Sequence, residues 1–266
     1  MKKFKKLTAV LIVSAAAAMC VAFGGCDLLG LRNYIHPSVS DYVPATEVNA
    51  ESLMAVRTKI REFNISVDTK YYKNVGWVSR TEGVGMGSGV VFEEDSQYYY
   101  ALTNHHVITN VLEGKTYSVS YTVTDIYGTE TAARVVMSDS SKDIAIVSFR
   151  KRSSYTLKKA NYTARLTTNL TPGEFVLAVG NPSGVNNIVT YGQIVNWARI
   201  GNVSYSVINH TALINPGNSG GALCDIEGNL LGLNTWGTED ADDDNYSIPL
   251  SVINDYIDLF HASLSK

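Results

Sequence analysis

From about residue 63 to residue 249 the chain is punctuated at short, even intervals. Runs rich in Val, Ile, Tyr and Thr are broken roughly every 8 to 12 residues by Gly, Asn, Asp or Pro. Such runs are too short for helices, and β-branched and aromatic side chains suit a pleated, half-buried surface. The pattern predicts strands over Asn64–Tyr71, Gly87–Phe92, Tyr98–Thr103, Thr116–Thr124, Thr131–Ser138 and Ile144–Phe149. A second set is predicted over Phe175–Gly180, Asn187–Ile200, Ser204–His210, Gly221–Asp225, Leu230–Thr235 and Tyr246–Pro249. The polar segment Lys151–Ala160 separates the two sets, and two groups of about six strands fit a pair of six-stranded antiparallel β-barrels better than one sandwich. The expected class is all-β.

Helical periodicity is confined to the flanks. Leu53, Val56, Ile60 and Phe63 recur at helical spacing, with Asn49 or Thr46 as N-cap. Val252, Ile253, Tyr256, Ile257 and Phe260 do the same within Leu250–Ser263. The expected domain is therefore 46–266, with barrel 1 at about 63–150, barrel 2 at about 161–249 and a closing helix at about 250–263.

The N-terminus reads as an export segment. Met1–Lys6 carries four lysines and is followed by an apolar run from Leu7 to Phe23, the layout of a secretory signal over 1–26. Phe23-Gly24-Gly25-Cys26 resembles a bacterial lipobox with Phe where Leu is preferred, which makes Cys26 a candidate lipidation site; an ordinary cleaved signal and an uncleaved anchor are the alternatives. Residues 27–45, with Pro37, Pro44 and no sustained periodicity, read as a spacer. The expected location is extracytoplasmic, tethered to the cell membrane through the N-terminus or its lipid, or else secreted or periplasmic.

Composition excludes rather than identifies. A formal charge of −3, from 22 basic and 25 acidic residues, gives no electrostatic footprint for nucleic acid. Cys20 and Cys26 fall in the signal, so the folded part retains Cys224 alone and no internal disulfide is expected; in its apolar run Cys224 reads as a small buried hydrophobe.

Three segments carry chemistry. Asn215-Pro216-Gly217-Asn218-Ser219-Gly220-Gly221 offers a serine on a turn whose neighbours leave its hydroxyl and nearby N–H groups uncovered. Thr103-Asn104-His105-His106-Val107 places a histidine after an apolar run, and Asp143-Ile144-Ala145-Ile146-Val147 places an acid before one. Acyl transfer by serine needs a base for the hydroxyl, an acid to orient that base, and donors for the developing oxyanion. Ser219, His106 and Asp143 supply nucleophile, base and acid, in the established pattern of the serine, histidine and aspartate triad. The backbone N–H groups of Gly217 and Ser219 would form the oxyanion hole. Each segment alone is ordinary, since a serine among glycines is usually a turn; their combination and order are what point to a serine hydrolase.

The chain resembles the chymotrypsin-fold serine peptidases and, among them, the bacterial HtrA/Deg-like protease domains, over about residues 50 to 257. Gly85-Met86-Gly87-Ser88-Gly89-Val90-Val91 resembles that family's opening strand, Thr103–Val107 its TNxHV motif and Asp139–Val147 its acid segment. Pro172–Pro182 resembles the strand and loop lining the active site, and Asn215–Leu223 the nucleophile motif. The family histidine stands fourth in TNxHV, which selects His106, with His105 as runner-up. Asn218 stands where zymogen-activated relatives have Asp, so activation by an N-terminal ion pair is not expected. His210-Thr211-Ala212-Leu213-Ile214 replaces the usual Thr-Asp-Ala-Ala-Ile, and a C-terminal PDZ domain is not expected.

The resemblance implies that Leu213, Ile214 and the strand Leu233-Asn234-Thr235 border the primary specificity pocket, with the strand pairing to an extended substrate. With no acid at its base, that pocket should take small or medium aliphatic residues rather than Lys or Arg. Exported and misfolded polypeptides are the implied substrates, and homotrimers occur in the family by analogy. No cofactor or metal is expected. Asp240, Asp242 and Asp244 alternate as in a calcium loop, but Asn245 and Ser251 stand where an EF-hand needs Gly and Glu, so Glu239–Asp244 reads as a solvated loop. The Asn-x-Ser/Thr sequons read as incidental. Two rivals remain: a catalytically silent binder of unfolded chains on the same fold, and an α/β-hydrolase, whose Gly-x-Ser-x-Gly pattern is satisfied at 217–221 but whose chain order is reversed.

Overall fold

The computed structural model describes residues 49–75, 78–109, 118–165, 170–184, 187–201, 203–237 and 245–264. The signal, spacer and lipidation readings, including Cys26, fall outside the described residues, as does the acidic run Glu239–Asp244. The chain divides into two units at Glu51/Ser52, and both barrels belong to the second.

Twelve strands form two closed barrels. The first comprises β1 (Asn64–Val75), β2 (Val78–Glu94), β3 (Tyr98–Thr103), β4 (Ser118–Thr124), β5 (Glu130–Asp139) and β6 (Ile144–Arg150), hydrogen-bonded in the order β1-β2-β3-β6-β5-β4. The second comprises β7 (Phe175–Gly180), β8 (Ile188–Ala198), β9 (Val207–His210), β10 (Ala222–Asp225), β11 (Leu230–Gly237) and β12 (Asn245–Pro249), in the order β10-β11-β12-β9-β8-β7. The strand pairs of both barrels are antiparallel. Closure pairs each strand with a neighbour on either side and is assisted by bulges such as Val135/Met137 and Asn234/Trp236.

The all-β expectation therefore stands, with the strands falling where the punctuation placed them. Tyr98–Thr103 and Phe175–Gly180 agree at both ends. The largest difference is in β1 and β2, which pair from Asn64↔Val90 out to Val75↔Val78 as one long hairpin. Its outer part carries Lys70, Lys73, Arg80 and Glu82, polar residues that hide strand periodicity.

The core explains what holds each six-stranded barrel together. Ile65, Val67, Val90, Leu102, Ile144 and Ile146 are fully buried in barrel 1, and Leu177, Val179, Cys224, Leu233 and Ile248 join the same cluster from barrel 2. A smaller cluster, including Val176, Ile194, Ile208 and Leu231, belongs to barrel 2 alone. Burying each such side chain contributes about 1.5–3 kcal/mol. Helix α1 (Ala50–Arg61) packs through Val56 and Ile60, and Lys59 Nζ donates to the Glu227 carbonyl at 2.6 Å. The short α2 (His105–Ile108) follows β3 directly and was not legible as a helix. Helix α3 (Leu250–Leu264) buries Leu250, Ile253, Tyr256, Ile257 and Phe260, with the Phe260 ring 5.7 Å from Phe92 and 5.0 Å from Tyr100. Cys224 is fully buried, and burial pushes its thiol well above the usual range, an inert setting.

Candidate active site

The three chemical segments meet at the seam between the barrels. β3 delivers Thr103 and Asn104 to the start of α2, which carries His106. Asp143 immediately precedes β6, the strand hydrogen-bonded to β3, so neighbouring strands bring acid and histidine together. Ser219 lies in the loop between β9 and β10.

His106 Nδ1 is 2.9 Å from Asp143 Oδ2 and 3.1 Å from Oδ1, and the His106 backbone N–H donates to Oδ1 at 3.0 Å. The carboxylate therefore fixes the ring and the start of the helix at once. The His106 side chain is 46% exposed, whereas Asp143 is 13% exposed. His105 makes no hydrogen bond with Asp143 among the described residues; its carbonyl accepts from Thr109 Oγ1 at 3.1 Å.

Asp143 is held from several sides. Its φ of 56° lies in the left-handed region, which Asp tolerates better than most residues. Asn104 Nδ2 donates to its carbonyl at 2.9 Å, and Thr235 Oγ1 donates to Oδ2 at 2.9 Å. Tyr205 reaches from the loop before β9 and donates to the Lys142 carbonyl at 2.6 Å. Burial pushes the Asp143 carboxyl up, but the side-chain hydrogen bond and charge of His106, its backbone N–H and Thr235 together outweigh burial and hold it below the usual carboxylate range.

Ser219 Oγ donates to the Thr235 carbonyl at 3.3 Å, and it makes no hydrogen bond with His106 among the described residues. Its loop is built on glycine. Gly217 has φ 102° and Gly220 has φ 84°. A Cβ on Gly220 would lie 2.2 Å from the Ser88 carbonyl oxygen and 2.4 Å from Thr103 Oγ1, so only glycine lets the loop close on barrel 1. The loop is tied down by Asn218 N–H to the Asn215 carbonyl, Gly220 N–H to the Asn234 carbonyl and Gly221 N–H to the Asn218 carbonyl, each near 2.9 Å. The Gly217 and Ser219 N–H groups take no acceptor among the described residues. Asn218 is buried against Gly180, where a Cβ would meet Asn218 Oδ1 at 2.7 Å.

The residues expected to border a specificity pocket separate. Ile214 is buried, and its N–H donates to Asn245 Oδ1 at 2.8 Å, whereas Leu213 is 41% exposed. Leu233 belongs to the core cluster. Asn234 uses its own N–H on the Gly221 carbonyl, its C=O on the Gly220 N–H, and its side-chain amide on the carbonyls of Val179 and Ala222. The backbone of Leu233 and Asn234 is therefore occupied, and the part of β11 with no partner strand on the nucleophile-loop side among the described residues is Thr235-Trp236-Gly237. This shifts the expected pairing stretch toward the C-terminus. Sequence reasoning did not name Trp236 and Gly237, which share this stretch without a partner strand, and it named Thr235 without its contact to Asp143. Asn104 and Ser88 lay inside quoted motifs without a role, and Tyr205 carried no signal. No group of three or more His, Cys, Asp or Glu among the described residues is disposed to hold a metal ion.

Comparison with known proteins bears on this geometry. A family profile described as "Trypsin-like peptidase domain" matches residues 87–233, more than half of the chain. The chain is 34% identical over 193 residues to "Serine protease Do-like HtrA" of Bacillus subtilis, covering 68% of this chain and 40% of that protein. It is 27% identical over 284 residues to "Probable periplasmic serine endoprotease DegP-like" of Pseudomonas fulva, covering 93% and 54%. The crystal structure of the serine endoprotease from Yersinia pestis superimposes with a TM-score of 0.59 at 28% identity, covering 82% of this chain and 67% of that one. The chain spans about half or less of the length of these curated relatives.

Proposed function

The chain belongs to the trypsin-like peptidase domain family, and from that premise we propose that it is a serine endopeptidase working through His106, Asp143 and Ser219. The observation that carries the reading is the His106–Asp143 pair, 2.9 Å apart, beside a serine loop whose Gly217 and Ser219 amides have no acceptor among the described residues.

In this mechanism Ser219 Oγ turns from the Thr235 carbonyl to His106 Nε2 as substrate binds. His106 takes the hydroxyl proton while Oγ bonds to the scissile carbonyl carbon, and the resulting oxyanion is received by the Gly217 and Ser219 N–H groups. His106 then passes the proton to the leaving amine, giving an acyl-enzyme. Water, deprotonated by the same imidazole, releases the acid and restores Ser219. Asp143 keeps Nδ1 protonated and stabilises the imidazolium.

Substrate is an extended polypeptide laid along Thr235-Trp236-Gly237, whose edge without a partner strand among the described residues adds it as a strand. Ile214 and Leu213 favour a small or medium aliphatic residue before the scissile bond, since a cation there would meet no acid. Relatives named as periplasmic and the Met1–Phe23 segment support action on exported, unfolded or misfolded chains, from a membrane tether at Cys26.

The test is casein hydrolysis by the purified protein beside Ser219→Ala, with fluorophosphonate labelling in parallel. Activity and labelling in the wild type, both lost in Ser219→Ala, are expected; an unlabelled, inactive wild type would sink the endopeptidase reading in favour of a silent binder. Dominant cleavage after Lys or Arg in a peptide library would refute the aliphatic preference.

A further inference from the structure

Among the described residues, Ser88 alone in barrel 1 hydrogen-bonds the nucleophile loop. Ser88, on β2, donates its N–H to the Ser219 carbonyl at 2.7 Å and its Oγ to the Gly217 carbonyl at 2.7 Å. Both carbonyls flanking Asn218 thus end on the same side chain and its backbone.

The direction of the Ser88 hydroxyl is dictated by its neighbours. A hydroxyl has one proton and two acceptor sites. Asn181, which follows β7 in barrel 2, fills the acceptor sites with its backbone N–H at 2.8 Å and its Nδ2 at 3.0 Å. The proton is left for the Gly217 carbonyl. Asn181 is itself fixed: Nδ2 also donates to the Ile65 carbonyl at 2.8 Å, and Oδ1 accepts from the Asn187 N–H at 2.8 Å. Asn64 Nδ2, on β1, completes the chain at Asn187 Oδ1, 2.9 Å away. Ser88, Asn181, Asn187 and Asn64 are all buried, so each bond is made where water cannot substitute for it.

Gly217 needs this support. With φ 102° and no Cβ it has no steric preference that would keep its peptide planes in one orientation. We infer that Ser88 is a positioning residue for the oxyanion loop: through the Gly217 carbonyl it fixes the Gly217–Asn218 peptide plane, which lies between the two planes that carry the Gly217 and Ser219 N–H groups and so sets how both can turn toward the reacting carbonyl. This deepens, and rests on, the endopeptidase reading above. It differs from a general structural role because the Ser88 backbone tie to Ser219 survives any side-chain change. The effect therefore falls on stabilisation of the oxyanion and not on substrate binding.

The test compares wild type, Ser88→Ala and Ser88→Thr in the whole protein. With a fluorogenic peptide carrying an aliphatic residue before the scissile bond, Ser88→Ala should lose about 10- to 100-fold in kcat, less than the roughly 100- to 1,000-fold for an oxyanion donor removed outright because the amides are misaligned and not deleted, while KM stays within about twofold. A peptide trifluoromethyl ketone, whose adduct carries the oxyanion, should bind more weakly by the same factor, and Ser88→Thr should restore most of the loss. The Gly217 and Ser219 amide resonances in 15N-labelled protein should move in Ser88→Ala without substrate present. Unmoved resonances, an unchanged kcat, or a fall in kcat that only tracks lost folded protein in thermal unfolding would overturn the proposal. A wild type that cleaves nothing, but whose resonances move in Ser88→Ala, would overturn the endopeptidase reading and leave the loop-holding role in place.

Discussion

Thr235 reaches out of the second barrel to Asp143 in the first: its Oγ1 donates to Oδ2 at 2.9 Å, the oxygen that also faces His106 Nδ1. The bond ties the acid to the strand whose next residues have no partner strand on the nucleophile-loop side among the described residues, so orientation of the histidine and the proposed substrate platform share one fixed point.

Thr235→Val keeps the shape and removes the donor. A hydrogen bond to a charged group is worth about 1.5–3 kcal/mol, so kcat/KM on a peptide substrate should fall about 10- to 100-fold, and Thr235→Ser should retain most activity. The Asp143 carboxyl lies below its ordinary value, so its stabilising contribution is present above about pH 3.9 and is lost as pH falls through the folded-state value. Removing Thr235 Oγ1 raises that folded-state value and moves the acid unfolding edge to higher pH. Full activity and an unmoved edge in Thr235→Val would refute the role.

The same contact shows where sequence reading stops. Ser219, His106 and Asp143 could be named as candidates from sequence because each sits in a local pattern of glycines, apolar runs and a strand boundary. Strand positions were legible for a similar reason, since turn residues interrupt β-rich runs. Thr235 and Asp143 are 92 residues apart, and Tyr205 and Lys142 are 63 apart; their meeting depends on how two barrels dock, which no window of sequence encodes. Leu233 and Asn234 were read as substrate-facing because they begin the right strand. Only the bonds of Asn234 to Gly220 and Gly221 show that their backbone is already used.

Tyr205→Phe probes the other tie on the acid. Burial, with the charges of Asp143 and Asp139, pushes the Tyr205 phenol well above its usual value, so it remains a donor to the Lys142 carbonyl. Its loss should cost about 1 kcal/mol in urea unfolding and about fivefold in kcat/KM, because the neighbouring φ of 56° at Asp143 is no longer held from that side. A silent variant in both assays would show that Asn104 and Thr235 suffice.

Two glycines with similar backbone angles should respond very differently to alanine. At Gly128, φ 76°, an added Cβ meets nothing within 4 Å, so Gly128→Ala should cost only the left-handed strain of about 1–2 kcal/mol. At Gly220, φ 84°, the Cβ collides with the Ser88 carbonyl and Thr103 Oγ1, and Gly220→Ala should cost about 3 kcal/mol or more and abolish labelling of Ser219. Comparable melting temperatures for the two variants would contradict the packing described for the loop.

His210 predicts how the fold responds to acid. It is fully buried at the end of β9, with Nε2 2.9 Å from Ser247 Oγ. Ser247 Oγ also donates to Asn234 Oδ1 at 3.2 Å, because Asn234 Nδ2 is spent on carbonyls, so the His210–Ser247 bond runs from Nε2–H to the hydroxyl oxygen. Burial drives its pKa from 6.5 down to about 3, against a smaller opposing contribution from the Ala212 backbone. Between those values the unfolded chain binds a proton that the folded chain refuses, so stability is whole above about pH 6.5 and declines as pH falls below it. The slope approaches roughly 1.4 kcal/mol per pH unit, or about 2 kcal/mol by pH 5. His210→Gln, whose amide can still donate to Ser247, should start from a somewhat lower stability at pH 7 but lose about one proton's worth less of slope between pH 6 and pH 4. Urea unfolding at four pH values in that range checks this, and parallel curves for wild type and variant would show that His210 does not carry the acid sensitivity.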